Sequence, residues 1–131
     1  MKKLNDYPKA LEVIMSSFLR DLNLSVKEDN NVPEDFKESL LLKGVLVENL
    51  QTMMEVSPSL YFKVFDENKL YISIVPVIDV DTTRFRAYIN NDSYGSIVDT
   101  RLEADRIAVE IAIEFLEQRL NSSQNETEAQ P

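Results

Sequence analysis

Asp79 and Asp81 have the spacing that most invites chemistry. They close the apolar run "IVPVIDV" and, with Thr83, spell Asp-x-Asp-x-Thr. On an extended segment residues two apart share a face, so this pair can hold a hydrated Mg²⁺ weakly. The same aspartates are equally ordinary as strand-end and turn residues. They are therefore weak metal candidates, and no metal site is expected. Histidine and cysteine are absent, which removes the usual general base, the Ser-His-Asp arrangement and thiolate chemistry. Gly44 and Gly95 are the only glycines, too few for a phosphate-cradling loop. No catalytic residue and no cofactor are expected.

Two further groups suit binding. Tyr61, Lys63, Tyr71, Arg84, Arg86 and Tyr88 alternate with apolar residues in runs that read as strands, which places them together on one sheet face. Aromatics with arginine are enriched at protein interfaces and also stack nucleic-acid bases. The plainer reading has this face covered by the N-terminal helices, or solvated with its side chains paired across strands. In the last helical segment, Val109, Ile113, Leu116 and Leu120 form a second apolar stripe. That stripe is a candidate interface for an N-terminal helix or for another copy of the chain.

The elements that position these residues follow from hydrophobic period. Residues 6–23 carry Leu11, Ile14, Met15, Phe18 and Leu22 at helical spacing, with Asn5 or Asp6 available as the cap. Pro33 followed by Glu34 and Asp35 opens a second helix reaching Glu55, which Gly44 divides or which a hairpin over 38–48 replaces. From Leu60 the period reads as two: Leu60, Phe62 and Val64, a turn at 66–69, then residues 70–80 with Pro76 marking an edge or bulge. Residues 84–90 place Phe85, Ala87 and Ile89 inward, "NNDS" turns, and "YGSIV" adds a short strand or continues one. Thr100 and Glu103 form a capping box for a helix to Leu120, whose other stripe holds Ala104, Ile107, Ala108, Ile111, Ala112 and Phe115. The expected fold is α+β: two N-terminal helices, a three- to four-stranded antiparallel meander, and a long C-terminal helix packed on the sheet. Residues 1–120 make one domain, and 121–131 an unstructured tail.

Two short resemblances accompany this reading. Asp79, Asp81 and Thr83 resemble the nucleophile motif of haloacid-dehalogenase-type phosphatases, which implies an attacking aspartate, an acid/base aspartate and magnesium. That family needs a doubly wound sheet with a helix after the motif, whereas a strand-like run follows here, so its activity is not carried over. The order from residue 45 onward, with "TRLEADRIAVEIA" opening the last helix, is similar to double-stranded-RNA-binding domains. Thr100, Arg101 and Ala104 match the family's Ser, first Lys and Ala, but Leu102 and Asp105 stand where its other phosphate-binding lysines would be.

With 23 acidic against 14 basic residues the chain carries −9, which disfavours polyanionic partners. No apolar run reaches the roughly 20 residues of a membrane span, and Asp6, Pro8, Lys9 and Glu12 interrupt any signal-peptide core. The absence of cysteine fits a reducing cytosol. The reading that results is a small, acidic, non-catalytic cytoplasmic protein that binds another protein, including a copy of itself. The alternative is a nucleic-acid-binding module using the Tyr/Arg sheet face.

Overall fold

The computed structural model describes residues 3–28 and 43–129, with backbone only at 19, 21–28, 43–46 and 123–129. The chain opens with a 3₁₀ turn (Leu4–Asp6) and helix α1 (Pro8–Glu28), and continues in α2 (Lys43–Val56). A second 3₁₀ turn (Pro58–Tyr61) leads into the short α3 (Phe62–Glu67). Strands β1 (Ile72–Ile78), β2 (Thr83–Ile89) and β3 (Asp92–Val98) follow, and α4 (Arg101–Ala129) ends the fold. The strands form one antiparallel meander in the order β1-β2-β3. The expected α+β architecture, with a long C-terminal helix on the sheet, is present.

Residues 60–64 depart from expectation. They are helical, because the buried set is Tyr61, Val64 and Phe65, a spacing of three and four that matches a helical turn. Pro58 starts the 3₁₀ turn, and the Asn68 side chain donates to the Val64 carbonyl at 2.7 Å as α3 ends. The sheet therefore has three strands, with "YGSIV" inside β3. The predicted helix start at Pro33 lies outside the described residues, as do 38–42 of the hairpin alternative. Over 43–48 the chain is helical, so the hairpin fails there. Helix α4 continues past Leu120 to Ala129, since no glycine or proline interrupts the run and propagation adds a backbone bond per residue.

Neither Asn5 nor Asp6 caps α1. The Glu117 carboxylate, reaching across from α4, accepts the Ala10 N–H at 2.7 Å, and Tyr7 donates to Glu114 at 3.5 Å. At the α4 start, Thr100 Oγ1 accepts the Glu103 N–H at 3.2 Å, which is half of the expected capping box. One buried cluster joins α1, α2, α3, β2 and α4 through Leu11, Ile14, Leu50, Met54, Phe65, Ile89 and Leu116, among others. The sheet side of α4 uses small residues: Ala104, Ala108 and Ala112 are fully buried. At Gly95, with φ +72°, an added Cβ would lie 2.6 Å from Ile107 Cγ2. Glycine is thus required both by the left-handed backbone and by the close approach of helix to strand. The ladder shifts register beside it, between Phe85 and Ala87.

Candidate functional site

The turn that holds Asp79 and Asp81 joins β1 to β2 and is fully exposed. Its geometry serves the turn itself: Asp79 N–H donates to the Thr82 carbonyl at 2.9 Å, and Asp79 Oδ1 accepts the Val80 N–H at 2.8 Å. Among the described residues no cluster of three carboxylates forms that would hold a metal ion.

The Tyr/Arg group is divided. Tyr61 is fully buried, donates to the Leu50 carbonyl and packs edge-on against Phe18 with ring centroids 5.5 Å apart. Burial pushes its phenol well above the ordinary range, so it stays a neutral core donor and belongs to no surface. Lys63 is exposed on α3 and so is not part of any strand. Tyr71, Arg84, Arg86 and Tyr88 do come together. Ile72 pairs with Ile89 and Ile74 with Ala87 on the side facing α4, so the opposite side carries Ser73 against Tyr88, Val75 against Arg86 and Val77 against Arg84. Tyr71 extends this row by the two-residue period. No described helix packs on that outer side, where Tyr71 is 55% exposed and Val75 and Val77 are exposed too. Arg84 lies 3.8 Å from Asp99. Arg86 Nε is enclosed, without a hydrogen-bond partner among the described residues.

Asn90 and Asn91, at φ 52° and 73°, form the two-residue hairpin turn that aligns β2 with β3, a conformation that asparagine tolerates. Asn90 also ties this turn to the entry of β1: its Oδ1 accepts the Tyr71 N–H at 2.9 Å and its Nδ2 donates to the Lys69 carbonyl at 3.2 Å. The position of Tyr71 beside the β2–β3 turn is thereby fixed.

The stripe Val109, Ile113 and Leu116 is not an open interface. All three are buried and Leu120 packs against the same cluster, because α1 lies on this side of α4. Charge pattern alone does not show which of two apolar stripes a neighbour will occupy. The resemblance at the α4 start has structural causes as well: Thr100 caps, Arg101 stands 5.0 Å over the Phe85 ring, and Ala104 is buried under the helix. Between α1 and the α3 end lies an open cleft of about 670 Å³ lined by Glu12, Ser17, Arg20 and Glu67. Arg20 already grips both Glu67 oxygens, at 3.1 and 3.0 Å, and Ser17 donates to the same carboxylate at 3.2 Å. The charges of Arg20 and Glu67 are spent on one another.

Sequence reasoning missed the apolar part of the surface. Ile78 is 78% and Val80 94% exposed, although both share the strand parity of Ile72 and Ile74, which face α4. The missing signal is strand length: β1 and its turn run beyond the end of α4's cover. No protein-family model matches the chain, and no curated protein or solved structure matches it. No described helix is long and apolar enough to cross a membrane.

Proposed function

We propose that this protein acts by binding another protein through the outer face of its sheet, and that it catalyses no reaction. The observation that supports this reading is the outer row of exposed Tyr71, Val75, Val77 and Arg84 with half-buried Arg86 and Tyr88, whose tyrosines and arginines are the types enriched at interface centres. The composition agrees, since histidine and cysteine are absent. A cytosolic home is part of the proposal, in keeping with a cysteine-free chain. The buried helix stripe gives no support to a dimer formed through α4.

The test compares proteins captured from native lysate by wild type and by the double variant Arg84→Glu, Arg86→Glu, with far-UV circular dichroism to verify the fold. Loss of the captured set in a folded variant is the expected result. An unchanged set rejects the face. A second reading has its own observation: two tyrosines and two arginines on a three-stranded face also suit stacking of single-stranded bases. Salt-dependent binding of labelled oligonucleotides by wild type, lost in the same double variant, would put that reading first.

A further inference from the structure

The open edge of β1 shows apolar side chains on both of its flanks. Ile78 is exposed toward the α4 side, and Val75 and Val77 are exposed on the outer side. An occupant lying beside the strand covers both flanks, whereas one lying on the sheet covers a single flank. The ladder identifies the backbone groups it would meet. Asn90 N–H donates to the Tyr71 carbonyl and Asp79 N–H to the Thr82 carbonyl, each at 2.9 Å, so residues 71 and 79 turn their polar groups toward β2. Pairing between them runs without a shift. Ser73, Val75 and Val77 therefore do the same, and the N–H groups of Ile72, Ile74 and Ile78 point away from the sheet. Pro76 shares their outward position and has no N–H to offer. Among the described residues no strand pairs with this edge.

We propose that the β1 edge accepts an extended segment of a partner protein as a fourth strand, with branched apolar side chains toward α4 and carboxylates toward the outer face. This rests on the protein-binding reading above and specifies its docking mode and partner chemistry. The carboxylates follow from Arg86 opposite Val75 and Arg84 opposite Val77. Strands lie about 4.8 Å apart, so an added residue beside Val75 is two strand spacings from Arg86, within reach of an arginine leaning over a valine. Among the described residues the enclosed Arg86 Nε has no hydrogen-bond partner. A second copy suits the edge less well, because a symmetric pair would place two Pro76 residues in the shared ladder. A nucleic-acid strand has no β-ladder to offer.

The test uses a synthetic peptide of about eight residues, a common strand length, alternating Val and Glu. A Lys-for-Glu peptide and a peptide N-methylated on alternate residues are the comparisons. Amide exchange by NMR in the free protein is expected to be fast at Ile72, Ile74 and Ile78 and slow at Val75 and Val77, and the Val/Glu peptide should slow the first three about tenfold or more. Ile78→Pro, at an exposed position whose N–H faces outward, should weaken peptide binding at least about tenfold, as should either altered peptide. Edge amides already protected in the free protein, whether by the chain itself or in a dimer, overturn the proposal. So does a Val/Glu peptide that fails to bind, or one that binds Ile78→Pro as well as wild type. Binding lost in Arg84→Glu, Arg86→Glu but intact in Ile78→Pro overturns strand addition and leaves the outer-face reading standing.

Discussion

Asp105 sits in the second turn of α4 with 9% of its surface exposed. Burial pushes its carboxyl pKa up, and Arg101 one turn earlier pulls it partly back. A carboxyl whose pKa is higher folded than unfolded keeps its proton longer in the native state. Its stabilising contribution is complete below the unfolded value, about 3.9, and is lost as pH rises through the folded value. At neutral pH the charged form is therefore a net burden on the fold. Asp105→Asn should raise the thermal midpoint at pH 7 by about 4 °C, the response of a domain of this size to roughly 1 kcal/mol. The gain should shrink as pH falls toward 4. Melting curves across that range check it, and an equal gain at both ends would mean that ionisation is not the cause. The residue was visible in the sequence only as a mismatch to a lysine position. Its burial needed the packing of α4.

Between elements, the most informative contact is the carboxylate of Glu117 at the N-terminus of α1. A helix start leaves backbone N–H groups without partners, and here the acceptor comes from the far end of the chain. Glu117→Ala should cost about 1 kcal/mol, lower the midpoint by about 4 °C and speed exchange of the Ala10 amide. Glu117→Gln keeps an acceptor and should lose less. Equal losses in the two variants would assign the effect to packing. No local pattern could have announced this cap, whereas Thr100 with Glu103, three residues apart, was legible because both partners lie in one turn. The same contrast explains the strands. In β2, Phe85, Ala87 and Ile89 alternate strictly and take the inward side, and the paired asparagines give the hairpin that follows. Across the 3₁₀ turn and α3, Leu60, Phe62 and Val64 also alternate, yet Tyr61, Val64 and Phe65 are the residues buried. A run of six residues satisfies both periods, and only contact with Leu50 and Phe18 decides between them. The outer face was half legible for this reason: Tyr71, Arg84, Arg86 and Tyr88 were placed on it rightly, whereas Tyr61 and Lys63, from the 3₁₀ turn and α3, were assigned to it and lie elsewhere.

At the scale of the whole molecule, the charge of −9 and the local arginines of the outer face make opposite demands on salt. Self-repulsion of a net acidic chain burdens the compact state, and mobile ions relieve it over the Debye length, about 10 Å at 0.1 M. The thermal midpoint should therefore climb as NaCl goes from about 0.02 to 0.2 M, since the exposed ion pair of Arg84 with Asp99 is the kind that contributes little. Affinity for the Val/Glu peptide should fall over the same interval, because the contacts of Arg84 and Arg86 with its carboxylates are attractions that salt screens. Calorimetric melts and peptide titrations in matched buffers measure both slopes on one preparation. Replacing Glu by Lys in the peptide should flatten or reverse the second slope and leave the first untouched. If midpoint and affinity rise together with salt, apolar burial alone drives the docking, and the arginines have no part in choosing the partner.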